Sequence, residues 1–78
     1  MKMIKFYTRP GCHLCAEALR VLESIKSEFD FEIQIIDISE SSELNDLYGT
    51  QIPVAQLNGK TILKHRANEK VLRRILSR

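Results

Sequence analysis

Two cysteines, Cys12 and Cys15, are the only ones in this chain of 78 residues, and they stand three apart with His13 and Leu14 between them. Two thiols at that spacing can exchange electrons as a dithiol–disulfide pair, supply half of a metal site, or pack as inert apolar groups. Structural zinc takes four ligands. Here the other candidates are His13, constrained inside the motif, and a distant His65. An intrachain metal site is therefore not expected. Two core cysteines would both fall on an apolar stripe, whereas Cys12 is flanked by a turn. A Cys12–Cys15 bridge closes almost no loop, so it would stabilise little. A disulfide-stapled mini-domain would spread several cysteines along the chain. The spacing suits redox chemistry better than reinforcement.

That chemistry needs elements to hold the sulfurs in place. Met3–Thr8 reads as a strand, with Ile4 and Phe6 on one face and Met3 and Tyr7 on the other. Apolar residues on both faces predict an interior strand covered on both sides. Arg9-Pro10-Gly11 breaks it. From Cys12 to about Phe29 the period becomes helical: Ala18, Leu22, Ile25 and Phe29 share a face with Cys15 and Leu19 beside them, and Glu17, Arg20, Ser24, Ser27 and Glu28 face water. The motif thus follows a strand and opens a helix. Unpaired backbone N–H groups and the positive end of the helix dipole converge there. A free cysteine titrates near 8.5, and such a position brings that down to roughly 3.5–7.5. Cys12 is then the exposed attacker on a substrate disulfide, and Cys15, nearly one turn further in, resolves the mixed disulfide. The cycle leaves the substrate reduced and the protein oxidised, so it requires an external reductant. His13 has three readings: a solvated side chain, a tuner of the Cys12 thiolate when protonated, or a proton shuttle.

The remainder completes an α/β order, β-α-β-α-β-β-α. Phe31–Ile38 is an isoleucine-rich second strand, parallel to the first because a long helix separates them. Ser39–Tyr48 reads as a short helix stopped by Gly49. Pro53–Leu57 and Thr61–Lys64 are strands joined by Asn58-Gly59, a strong hairpin signal because both turn positions tolerate positive φ. A last helix from about Ala67 to Leu76 turns Val71, Leu72, Ile75 and Leu76 inward. Its Lys70, Arg73, Arg74 and Arg78 form a solvated face or, in the alternative, a docking surface for an acidic partner. The sum is one domain, residues 1–78, with a mixed four-stranded sheet and helices on both faces.

Composition narrows the function classes. Apolar residues at 44% and charged residues at 28% are ordinary for a globular domain. A net charge of +2 with a pI near 8.7 is too mild for a nucleic-acid footprint or a membrane surface. The start of the chain shows no signal-peptide pattern, and no segment nears the ~18 apolar residues of a membrane span. The cytoplasm is the expected address unless a leader has been cleaved.

The strand Ile4-Lys5-Phe6-Tyr7-Thr8, the turn Arg9-Pro10-Gly11, the motif Cys12-His13-Leu14-Cys15 and the stretch Gln51-Ile52-Pro53-Val54 together resemble a glutaredoxin. They are most similar to the small bacterial glutaredoxin-like proteins with a CHLC motif, over nearly the whole chain. The resemblance implies a thioredoxin-like fold of glutaredoxin type in which Pro53 is cis beside the active-site disulfide. It also implies that the backbone of Ile52 pairs with bound substrate and that Arg9 helps to hold glutathione; the bland alternatives are a proline that opens a strand and a solvated charge. The sequence departs from the family twice. No proline lies between the cysteines, so a redox potential does not carry over. The glycine pair that cradles glutathione is replaced by Leu63-Lys64-His65-Arg66-Ala67-Asn68-Glu69, where Asn68 can cap the helix or contact a carboxylate.

The expected function is a dithiol–disulfide oxidoreductase, an electron-transport protein with Cys12 and Cys15 catalytic and Arg9, His13, Ile52 and Pro53 lining the substrate rim. Substrates are protein disulfides or small mixed disulfides. Electrons come from a thioredoxin-reductase-like flavoprotein or from glutathione, with no bound cofactor or metal and a monomeric chain. The alternatives are a redox-inactive adaptor and a metal or iron–sulfur carrier that uses the same cysteines.

Overall fold

The computed structural model describes residues 2–77. Its elements are β1 (Lys2–Thr8), α1 (His13–Phe29), β2 (Phe31–Asp37), a 3-10 turn (Ile38–Glu40), α2 (Ser42–Tyr48), β3 (Val54–Leu57), β4 (Lys60–Lys64) and α3 (Glu69–Leu76). The sheet order is β2-β1-β3-β4. β2 runs parallel to β1, from Lys2↔Phe31 to Thr8↔Asp37, and β3 runs antiparallel to β1 from Ile4↔Leu57 to Tyr7↔Val54. The expected α/β fold, a mixed four-stranded sheet with helices on both faces, is the one observed.

α1 forms because Cys15, Ala18, Leu22 and Ile25 recur every three or four residues and are all buried. It ends at Asp30, whose φ of 52° turns the chain out of the helix while its N–H still reaches the Lys26 carbonyl at 3.1 Å. Ile4 and Phe6 of β1, with Phe31 of β2, bury against this helix layer, which α3 completes through Leu72 and Leu76. Burying an Ile, Leu or Phe side chain fully contributes about 1.5–3 kcal/mol each, and eight of them (Ile4, Phe6, Leu22, Ile25, Phe31, Ile38, Leu72 and Leu76) are essentially inaccessible.

The opposite face of β1 is thinner than the sequence suggested. Tyr7 is covered by Tyr48 of α2, with ring centroids 4.4 Å apart, and Gln56 donates to Tyr48 Oη at 3.1 Å. Met3, expected under cover, is half exposed. At a rise of 1.5 Å per residue, the seven residues of α2 span only about 10 Å, enough to shield one end of the strand.

Other expectations shift at their edges. The short helix expected from Ser39 is divided. Asp37 Oδ1 accepts from the Ser39 N–H (2.9 Å) and hydroxyl (2.6 Å), closing a 3-10 turn, and Ser41 Oγ then accepts from the Leu44 N–H (3.2 Å) to start α2 afresh. In α3, Val71 was expected inward but is 37% exposed, because eight residues present only Leu72 and Leu76, one turn apart, to the core. Phe29 is half-buried rather than sealed, and the Arg73 guanidinium lies 5.9 Å from its ring centre. Arg73 also pairs with Glu28 (2.7 Å) and Glu69 (2.9 Å), so it ties α3 to α1 instead of joining a uniform solvated face. Lys70 and Arg74 are exposed; Arg78 lies outside the described residues. The Asn58-Gly59 turn has φ of 53° and 78°, as expected for a two-residue hairpin of the primed type.

Candidate functional site

β1 delivers the chain to Arg9-Pro10-Gly11, a turn closed by the Cys12 N–H donating to the Arg9 carbonyl at 3.3 Å. Pro10 and Gly11 take its central positions, and Gly11 has a φ of 80°, the value that a type II turn requires of its second central residue. This turn aims Cys12 into the N-cap position of α1. Cys12 has extended backbone there, and its Sγ accepts the backbone N–H of Cys15 at 3.1 Å.

Ser41 and Asn68 make the same bond to the third residue of their helices, through an oxygen in each case. At α1 the usual hydroxyl or amide oxygen is replaced by sulfur. The two cysteines are joined as a disulfide with Cα atoms 5.2 Å apart. Cys12 is half-buried and faces an open depression, while Cys15 is 3% exposed within the core cluster. The pair is therefore asymmetric: one sulfur at the surface, the other behind it.

The depression, about 450 Å³, brings Cys12, Cys15, Arg9 and His13 together beside Thr8 and Leu19. His13 is 83% exposed and turns along the helix to Glu17, with Nε2 3.4 Å from Oε1. Arg9 extends to α2, donating to Asn45 Oδ1 and to the Gly49 carbonyl, both at 3.4 Å. Leu19 and Thr8 line the same space without having been singled out; in the sequence, Leu19 reads only as the margin of a helical stripe.

Ile52 and Pro53 do not line that depression. The antiparallel register that pairs Tyr7 with Val54 puts them one step further on, alongside the end of β1 on its β3 side. The Ile52–Pro53 peptide bond is cis. The Ile52 N–H donates to the Tyr48 carbonyl at 3.1 Å. Across from Pro53, the His65 N–H donates to the Pro53 carbonyl (2.9 Å) and toward the Gln51 carbonyl (3.2 Å). His65 adopts a φ of 67° to do so, a conformation to which histidine is less averse than most residues. In the sequence His65 drew notice only as a metal donor; what it contributes is a backbone N–H. Asn68, considered for a carboxylate contact, spends its Oδ1 on the Val71 N–H at 3.2 Å. Among the described residues, no group of three or more His, Cys, Asp or Glu side chains is placed to hold a metal ion, and no helix is long and apolar enough to cross a membrane.

Comparison with known proteins agrees with this geometry. Residues 3–77 match the family model described as Glutaredoxin-like domain (DUF836). The chain is 35% identical over 72 residues to a Dictyostelium discoideum protein named "Glutaredoxin-like protein YDR286C homolog", covering 85% of this chain and 67% of that one. Among solved structures, protein XcR50 from X. campestris superposes with a TM-score of 0.82 at 25% identity, over 95% of both chains. Protein Ne2328 from Nitrosomonas europaea gives 0.83 at 26% identity, over 95% of this chain and 89% of that one. Oxidised thioredoxin from Plasmodium falciparum shares the fold, with a TM-score of 0.65 at 18% identity over 97% of this chain and 78% of that one.

Proposed function

Since this chain belongs to the glutaredoxin-like family and has its thioredoxin-like fold, we propose that it is a dithiol–disulfide oxidoreductase in which Cys12 attacks and Cys15 resolves. The observation that carries this reading is the sulfur N-cap. The Cys15 N–H points at Cys12 Sγ, and the positive end of a 17-residue helix lies behind it. Reduction of the bridge leaves that sulfur facing the same amide, a position that favours the thiolate over the thiol.

The exchange proceeds in two displacements. The Cys12 thiolate attacks one sulfur of a substrate disulfide, forming a mixed disulfide and expelling the other sulfur as a thiolate. The Cys15 thiolate then attacks Cys12 Sγ, forming the Cys12–Cys15 bridge and releasing the second substrate thiolate. Two electrons pass to the substrate, and a dithiol donor returns them. Substrates are protein disulfides or small mixed disulfides. Arg9 and His13 form the substrate rim at the depression, and the Ile52–Pro53 edge forms a separate part of it beside the end of β1. The Ile52 N–H is engaged by Tyr48, so pairing with substrate through that amide requires it to exchange partners. The stretch Lys64–Glu69 has no glycine pair, and Asn68 is committed to its cap. Both features favour a thioredoxin-reductase-like flavoprotein over glutathione as electron donor.

The test is turnover of an aromatic disulfide with two coupled systems, glutathione with its reductase and thioredoxin reductase with NADPH, alongside iodoacetamide labelling of the reduced protein below pH 7. Cys12 is expected to alkylate first and turnover to run on the flavoprotein. Unreactive thiols at that pH, or turnover retained without Cys12, would overturn the assignment.

A further inference from the structure

The two edges of the sheet are built differently. β4 carries Lys60 and Lys64 at its ends, its register against β3 shifts at Ala55/Gln56, and Lys64 pairs back on Arg66. Lysines, irregularity and a covering segment are the ordinary defences of an exposed strand edge. Among the described residues, β2 has none of them. It runs Phe-Glu-Ile-Gln-Ile-Ile-Asp over seven residues in unbroken register with β1. Its Ile35 is 56% exposed, and its one charge inside the run, Glu32, is already matched by Lys26 at 3.6 Å.

In place of the monomer expected from the sequence, we propose that the β2 edge is the interface of a two-fold homodimer, with β2 pairing antiparallel to the partner's β2 about Gln34. That centre uses the full length of the strand, and three features make the second copy the fitting occupant. First, the register is self-complementary: Ile33 faces the partner's Ile35, and Glu32 faces the partner's Ile36, so no carboxylate meets another. Cross-strand aliphatic pairs of this kind stabilise antiparallel sheets.

Second, the same axis suits the helix layer. α3 lies on one side of α1, where Leu14 and Val21 share a depression with Arg66 and Ala67 and Glu28 meets Arg73. The other side of α1 bears Ala16, Leu19, Arg20 and Glu23 around an open, largely apolar depression of about 640 Å³. α1 runs back along the strands from His13, beyond the end of β1, to Phe29, before the start of β2. Its midpoint, near Val21, therefore lies level with Gln34. A two-fold axis there sets the partner's α1 antiparallel alongside and brings Arg20 opposite the partner's Glu23, twice over.

Third, both disulfides sit at the ends of strands that run in opposite directions, so they point away from each other. Ala16 and Leu19 line both the helix-side depression and the one beside Cys12, so the interface borders the site on each copy. The dimer does not depend on the function proposed above.

Sedimentation equilibrium of the full chain between roughly 10 µM and 1 mM is expected to show a monomer–dimer equilibrium. Ile35→Lys, at an exposed position that leaves the fold intact by circular dichroism, should lower the association constant at least tenfold without altering thiol chemistry. Arg20→Glu and Glu23→Arg should each weaken the dimer by setting like charges opposite each other, and the double exchange should restore it. A chain that stays monomeric over the whole range would overturn the proposal. So would a dimer indifferent to Ile35→Lys, or a double exchange that behaves as the sum of its parts.

Discussion

Two helices in this molecule begin with the same hydrogen bond and put it to different use. At α3 the Asn68 amide oxygen accepts the Val71 N–H at 3.2 Å; at α1 the Cys12 sulfur accepts the Cys15 N–H at 3.1 Å. Asparagine is among the best N-caps and sulfur is not one of the favoured types, so α1 accepts a poorer cap than α3. On the function proposed above, what it gains is an atom whose negative charge the helix end would favour once the bridge is reduced. The start of α3 is instead braced as structure, with Arg73 bridging Glu69, Glu28 and the Phe29 ring. A shared local geometry therefore does not identify a site; the atom placed in it does.

The most severe test of this contrast is Cys12→Ser. The hydroxyl is a better cap, so reduced protein carrying it should melt no lower than reduced wild type, while disulfide turnover is lost entirely. Cys15→Ser should retain the first displacement and accumulate a mixed disulfide, visible by mass. A serine variant that still turns over would remove the distinction between the two helix starts. Next in size, Asn68→Ala should cost about 1 kcal/mol, several degrees of melting temperature in a domain this small. If turnover fell along with stability, the start of α3 would belong to the site after all.

Arg73→Gln should cost less than Asn68→Ala, because exposed ion pairs and cation–π contacts each contribute little. A loss well beyond that would mean the α1–α3 brace is worth more than its exposure suggests. The smallest effect concerns Asp37, whose pKa is held below the ordinary value by its hydrogen bonds from the Ser39 side chain and backbone. A depressed folded pKa contributes stability above the unfolded value near 3.8 that fades as pH falls through the folded one. Asp37→Asn should therefore flatten the acid limb of a stability–pH curve by lowering the neutral plateau slightly, leaving the acid end nearly unchanged.

The site's framework was legible in the sequence because it rests on short-range signals. Pro10-Gly11 fixes the turn, the change of period at Cys12 marks the helix, and Asn58-Gly59 closes the hairpin. The misjudged features depend on how far a covering layer extends. Periodicity put Met3 and Val71 on apolar faces, yet α2 is too short to cover Met3, and α3 turns only Leu72 and Leu76 fully into the core. The contacts that had no sequence signal join residues far apart: Arg9 to Gly49, Tyr7 to Tyr48, Arg73 to Glu28. Each depends on the register of packed elements, which a linear pattern does not encode. The division into an outer Cys12 and an inner Cys15 was also legible, from the helix start and the apolar stripe; what the core adds is its extent, with Cys12 half-buried and Cys15 3% exposed.

The chain has two tyrosines and no tryptophan, and Tyr7 and Tyr48 are the two rings stacked at the seam between α2 and the sheet. All intrinsic ultraviolet emission consequently comes from one joint of the molecule. Fluorescence will follow the undocking of α2, whereas far-ultraviolet dichroism is weighted toward α1, the longest helix. A gap between the two melting curves would show that α2 leaves before the layer that carries the sulfurs.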